Sequence, residues 1–461
     1  MTNTNAYIDA YYIDPINGND SNSGTVNSPL KTIQKGVDVA GANDNDGNKV
    51  YLAGGTHYLD RPIAINSHSG EEGAPLTIQS APGEEAIIDG RRVSQQDALI
   101  NVRDVNRIDI TDLEIRNAPS YGIEVVNGKH INIKDNLIYK TQGMGIRVRG
   151  YIAESTYEGD TTVKSSDVTI QGNGVFQTNL INSGAKKGTD NWGAGIQAWN
   201  VDRVKVVDNT VGENYGEGIG LTVVDDGVVA NNYLYDNYSV QIYLDNAVDS
   251  KVKNNFTFNS GDRRFYRDNF SASGIVMANE IHDVANPEQY YLNNNTITQN
   301  IVVNANTGIM YGTWAGIHQN KASENWRGLK NTNITHNTVY NSEFHGIKFY
   351  GDNNTNNVNV AKNIFSQESG EISMIDDLTG INFQRNVWSG NYPGDGFSST
   401  GAIAEPIFIN PGSYRVSDYQ LQSNPFISDG ADVNNYSLLG QADLGALKVG
   451  EEVFDTGDII S

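Results

Sequence analysis

The sequence predicts an all-β chain, a single-stranded right-handed parallel β-helix with a capping helix at its N-terminal end and an irregular C-terminal cap. Three observations predict it. An asparagine recurs in one context along most of the chain, and an isoleucine recurs in another context of the same unit. The composition is Gly-rich (48 residues) and only 38% hydrophobic, without the Leu-rich runs of helical proteins. That balance suits many short strands separated by turns.

The asparagines are Asn136, Asn173, Asn209, Asn232, Asn255, Asn295, Asn337, Asn363 and Asn386. Each follows one short alternating strand and precedes another, as in VKVVDNTV, GVVANNYL and TNITHNTV. The spacing is 23 where the coil is plain (Asn209 to Asn232 to Asn255) and stretches to between 26 and 42 elsewhere. An asparagine at one bend of every coil can stack into a ladder, its amide satisfying backbone groups that would otherwise be buried and unpaired.

The second mark is the isoleucine of YGIEV, MGIRV, AGIQA, EGIGL, SGIVM, TGIMY and HGIKF: Ile123, Ile146, Ile196, Ile219, Ile275, Ile309 and Ile347, with Ile242 equivalent. These point inward, and so do the residues two further on, because strand side chains alternate. The whole chain, 1–461, then reads as one solenoid domain. Residues 11–75 form the first strands and a helix that plugs the open end, 76–401 the coils, and 402–461 the C-terminal cap. Length does not force several domains, because each coil packs only on its neighbours.

Plain coils run 10 residues from Asn to Ile (Asn209 to Ile219) and 13 from Ile to Asn (Ile219 to Asn232). Extra residues enter at about 150–165, 177–191, 260–270, 279–290 and 312–328, on both sides of the isoleucine strand. Insertions confined to one face of a solenoid mark its binding face. The isoleucine strands thus make the floor of a groove and the insertions its walls. Outward floor residues follow each isoleucine by one position (Glu124, Arg147, Gln197, Gly220, Tyr243, Val276) and by three (Val126, Arg149, Trp199, Thr222, Asp245, Ala278). Gly218 and Gly220 leave a hollow between Gln197/Trp199 and Tyr243/Asp245. The walls carry Trp192, Phe265, Tyr266, Trp314 and Trp326, with Arg263, Arg264, Arg267, Glu280, His282 and His318. Aromatic platforms among polar neighbours suit an extended glycan.

The formal charge of −23 argues against nucleic acid or an anionic membrane as partner. There are no cysteines, which excludes disulfides and thiolate chemistry, and no stretch of 18 apolar residues that would span a membrane. The opening MTNTNAYIDAYYI lacks the charged and apolar regions of a cleavable signal. No cofactor is required by this reading, although an acidic surface can recruit Ca²⁺. The chain is expected to be a monomer acting on polysaccharide outside the cell or at its surface.

The element GNDSNSGT…PLKTIQKGVD and the asparagine ladder resemble the pectate-lyase-like β-helix superfamily, over nearly the whole chain. The resemblance implies secretion and action on polysaccharide, but that superfamily includes lyases, hydrolases, epimerases and non-catalytic spikes. Its calcium-dependent pectate lyases use an acidic calcium cluster and a Lys base. Asp225–Asp226 is present here, with no floor lysine placed beside it. The DPHE motif of alginate epimerases of this fold is absent.

Hydrolysis of a glycosidic bond needs two carboxyls. Asp245 sits three after its isoleucine and Glu280 five after the next, which on ideal strands is about 6.6 Å along and 4.8 Å across, roughly 8 Å between backbones. Glu217, in YGEGIG, is the third acid; an ideal strand puts it too far from Asp245 to be its partner, unless the chain bends. The favoured activity is glycoside hydrolysis by Asp245, Glu280 and Glu217, with Arg147, Arg149, Gln197, Trp199, Tyr243, Arg264, Arg267, Trp192 and His318 binding substrate. The rivals are β-elimination on a uronic glycan, using Tyr243 or the arginines, and a non-catalytic glycan-binding spike or adhesin.

Overall fold

Backbone groups in a solenoid have to be satisfied by the coils above and below, and parallel pairing does this throughout. The computed structural model describes residues 10–42, 48–150, 163–184, 193–280, 291–312, 328–350, 354–390, most of 402–419, and the backbone of 443–444 and 447–448. Its strands form one 23-stranded and one 13-stranded parallel sheet, with each strand paired to its equivalent one coil on. The larger sheet covers two faces of the coil, since strands such as Ala194–Val207 run through both. The smaller closes the third, completing a right-handed parallel β-helix.

The isoleucine register holds coil by coil. Ile123 pairs with Ile146, and the column continues through Ile196, Ile219, Ile242, Ile275, Ile309 and Ile347. All are fully buried in one continuous core.

The asparagine ladder stands with one correction. Asn255 bonds to Asn300, and Asn300 to Asn337; Asn295 lies outside the ladder. Asn300 is the residue that follows the strand Thr296–Thr298, as Asn255 follows Lys251–Lys253, whereas Asn295 precedes its strand. Asn295 instead accepts from Ser250 N and donates to Ala247 O. A second, shorter ladder runs inside the coil. Asn214 donates to Asn237, which donates to Gln241 inside the coil.

The N-terminal end closes as expected. Asp20 of the GNDSNSGT segment accepts from the backbone N–H of Lys31 and Thr32 and from the Thr32 hydroxyl, which fixes the start of the helix Ile33–Gly41. Thr32 in turn caps it by accepting from Lys35 N. Ile33, Gly36, Val37 and Ala40 face the first coil, and a Cβ on Gly36 would collide with Ile13 and Val50.

At the C-terminal end Ala402–Ile403 still pairs with the preceding strand. The described residues beyond it fold back over the outer face of the 13-stranded sheet. Tyr414 stacks on Phe258 at 4.4 Å, and the Tyr233 hydroxyl donates to Tyr414 O. Phe408, Val416 and Tyr419 pack there with Phe256, Ile301 and Tyr340.

A column of glycines precedes the isoleucines: Gly122, Gly145, Gly195, Gly218, Gly274, Gly308 and Gly346. A Cβ at these positions would overlap interior groups such as Ile138, Val175, Leu234, Val302 and Val339. The glycine and the isoleucine after it therefore both face the core, and strict alternation fails at this corner. Gly218→Ala would push against Gln241 O and Leu234. It is expected to lower stability by about 1–3 kcal/mol, read as a lower denaturant midpoint; an unchanged midpoint would mean the corner relaxes freely.

Candidate active site

That corner decides the site. With two successive residues turned inward, the residue two before the isoleucine can turn outward. Tyr121, Met144, Glu217, Val240, Ser273 and Thr307, all at that position, line one groove of about 940 Å³. The floor columns pair as expected: Arg147 with Gln197, then Gly220, Tyr243 and Val276, and Trp199 with Thr222, then Asp245 and Ala278. The same corner removes the hollow expected at Gly218, which faces the core. The Gln197 amide fills the other half, donating to Gly220 O, Ala198 O and the Thr222 hydroxyl.

Glu217, Asp245 and Glu280 meet in this groove from three successive coils. Glu217 opens its strand, Glu217–Asp225, and Asp245 closes Val240–Asp245. Glu280 lies two residues past the end of Ser273–Ala278, held by Asn246, whose side chain accepts from Glu280 N and donates to Glu280 O. Tyr243 stands between them and donates its hydroxyl to Glu280 Oε1 at 2.5 Å. Glu217 lines the same groove as Asp245, the arrangement that a bend in the chain before Ile219 allows.

The electrostatics follow from that crowding. Glu217 is 8% exposed. Burial raises its pKa first, the charges of Glu280 and Asp245 raise it further, Arg267 opposes them, and the result is about 8. The Tyr243 hydroxyl is held well above its usual range near 10 by burial, by Asp245, Glu280 and Glu217, and by its bond to Glu280. At neutral pH Glu217 keeps its proton and Tyr243 remains a phenol. A buried carboxyl kept protonated beside other carboxyls can serve as the acid of such a site.

Other expected binding residues divide. Arg147 lines the groove, its guanidinium 5.1 Å from the Tyr121 ring centre and 6.0 Å from that of Trp199, and it donates to the Tyr121 hydroxyl. Arg267 lines it from the wall, donating to the Ser239 hydroxyl. Arg149 does not line the groove: with Arg103 and Arg147 it surrounds the buried Glu124, at 3.1, 2.8 and 3.5 Å. Arg264 does not either. It forks onto Asp262 and, with Phe265, lines a different cavity behind the wall. Trp192 and His318 lie outside the described residues, as do His282, Trp314 and Trp326.

Lys348 and Tyr350 were missed. They line the groove three coils beyond Tyr243, the ammonium 4.5 Å from the ring centre. They follow Ile347 by one and three positions in HGIKFYG, so the column rule extended two coils further would have found them. Among the described residues no group of three or more His, Cys, Asp or Glu side chains is arranged to hold a metal ion. Asp225 and Asp226 are exposed and do not line the groove.

The chain is similar to several known proteins. A family described as "Pel9A-like, right handed beta helix region" matches residues 11–174. The family "Right handed beta helix region" matches 98–263 and 168–328, together half of the chain. Among curated proteins, pectate lyase PEL9 of Emericella nidulans is 33% identical over 124 residues, 24% of this chain and 28% of that protein. YwoF of Bacillus subtilis is 32% identical over 141 residues, 28% of each. The alignments thus span little more than a quarter of either relative. The solved structure of the PL6 family alginate lyase AlyGC superposes with a TM-score of 0.62 at 16% identity, over 90% of this chain and 58% of that one. A rhamnogalacturonan lyase gives 0.55 at 15% identity, over 94% and 99%. Likeness at this level of identity is likeness of fold.

Proposed function

We propose that this chain, which belongs to the right-handed β-helix family, cleaves a polysaccharide in the groove over its isoleucine strands, and does so by hydrolysis. One observation carries the reading. Glu217 is a carboxyl that burial first, and then the charges of Glu280 and Asp245, keep protonated at neutral pH inside an open groove. Glycoside hydrolysis needs such an acid opposite a carboxylate. Glu217 gives its proton to the glycosidic oxygen as the bond from the anomeric carbon breaks. Asp245 supplies the electron pair, either to the anomeric carbon or through a water whose proton it takes. Tyr243 holds Glu280 in place. Trp199 and Tyr350, at either side of the acids, offer rings for sugar faces. A polymer too large to enter a cell puts the protein outside it or at its surface.

Elimination on a uronic glycan is the second reading, and the cations Arg147, Arg267 and Lys348 along the groove favour it. Its weak point is the base. Tyr243 would have to ionise to take a proton, and its surroundings oppose that.

A panel of neutral and uronic polysaccharides, scored for reducing ends and for ultraviolet absorbance of unsaturated uronates, separates the two. Reducing ends without absorbance are expected. Absorbance rising on a uronate overturns the hydrolytic assignment, and silence across the panel favours a glycan-binding spike. Asp245→Asn, nearly isosteric at a residue 2% exposed, is expected to lower kcat roughly 10²–10⁴-fold with an unchanged melting profile. A near-normal rate removes Asp245 from the mechanism.

A further inference from the structure

The insertion carrying Asp262–Ser271 is a wall with two sides. Arg267, Asp268 and Phe270 face the groove, while Arg264 and Phe265 face a separate cavity of about 420 Å³. That volume falls within the range of small-ligand sites. Its other lining comes from the bend that ends each strand of the 13-stranded sheet. Asn117, Asp236, Asn304 and Asn341 hold the left-handed residue of that bend in four coils, and short Asn or Asp side chains accept this backbone at low cost. In three successive coils it is held instead by Lys140, Gln177 and Glu213, with φ of 55°, 50° and 55°. All three line the cavity, as does Asn117 of the coil before them. The bend alone does not need long polar side chains there.

The lining has a definite chemistry. Tyr215 and Phe265 form a ring pair at 5.1 Å. Gln177, 4% exposed, places its amide Nε2 at 3.4 Å from Glu213. Arg91, Lys140 and Arg264 bring three cations against the one lining acid, in a chain of net charge −23. Arg91 and Arg264 are paired with Asp89 and Asp262, which stand outside the lining, whereas Lys140 forms no salt bridge among the described residues. Burial pushes the Glu213 carboxyl up, which lowers its opposition to an anion.

We propose that this cavity is a second glycan site, separate from the cleavage groove, which takes one acidic sugar unit. The ring face of the sugar stacks on Tyr215, and its carboxylate or sulfate is received by Lys140 and Arg264. The wall segment holding Arg264 and Phe265 then has both faces in contact with polysaccharide, so a chain anchored here is kept beside the groove.

The experiment is titration calorimetry of the full chain with sodium galacturonate, galactose 6-sulfate and galactose. Galacturonate or the sulfate is expected to bind saturably and galactose to bind at least about tenfold more weakly. Lys140→Glu, an alteration at a partly exposed turn, is expected to abolish the anionic binding, and Trp199→Ala in the groove to leave it unchanged. Cleavage of a soluble oligosaccharide too short to reach both sites is expected to be normal in Lys140→Glu, so failure of the groove assignment shows separately. Equal binding of galactose, no saturable binding of either anion, or loss on Trp199→Ala but not on Lys140→Glu would each overturn the proposal. An arginine at the same place, Lys140→Arg, is expected to restore binding; failure to do so while the fold is intact counts against a charge contact there.

Discussion

Replacing Glu217 by glutamine is expected to abolish turnover and, at the same time, to make the protein more stable. The loss of rate follows from the missing proton, at roughly 10²–10⁴-fold. The gain in stability follows from linkage. In the unfolded chain this carboxyl ionises near its ordinary 4.5, but in the folded protein only near 8. Between those values the folded state holds a proton that the unfolded state has released, so stability falls as pH rises across that window and levels off above it. Glutamine has no such dependence. The advantage of Glu217→Gln should be absent below about pH 4.5 and reach on the order of 3 kcal/mol near pH 8, at about 1.4 kcal/mol per pH unit less relaxation. Chemical denaturation at a series of pH values reads this directly. The wild-type rate should also decline as pH passes about 8, where Glu217 loses its proton. A pH-independent difference in stability would mean that Glu217 is not held protonated, and the division of roles between it and Asp245 would fall with it.

The second large effect belongs to the ladder. Asn232 is fully buried. Its side-chain oxygen accepts from the backbone and amide of Asn209, and its amide donates to Val206 O and to Asn255. Asn232→Ala leaves a backbone N–H, a backbone C=O and parts of two side-chain amides without partners in the interior. At about 1–3 kcal/mol for each buried unsatisfied group, partly offset by relaxation, a cost of about 3–5 kcal/mol is expected. Because coils depend on their neighbours, the damage should spread along the solenoid rather than stay at one bend. Hydrogen exchange would show it as lost protection in the coils around residues 209–255. Protection lost only at the amide of Asn209, whose acceptor is removed, would mean that the ladder's rungs act independently.

The exchange of Asn295 for Asn300 shows how such a pattern misleads. Both lie in the run NNNTITQN, and spacing alone cannot choose between them once an insertion has broken the period. Hydrogen bonding chooses, because only the residue after the strand reaches the rung at Asn255. Arg149 and Arg264 mislead differently. Their charge was legible, but whether an arginine meets a substrate or a neighbouring carboxylate depends on where Glu124 and Asp262 come to lie.

By itself the sequence determined the β-helix, the isoleucine register, the groove face and the floor columns, because each rests on a period repeated coil after coil. Repetition averages out local error, and burial enforces it, since a slip of one residue would expose every isoleucine at once. Only the tertiary structure decided that Glu217 joins Asp245 and Glu280. Their meeting depends on one corner, where a glycine too crowded for a side chain lets two consecutive residues face the core. Alternation describes a strand between its bends, and this site was built at a bend.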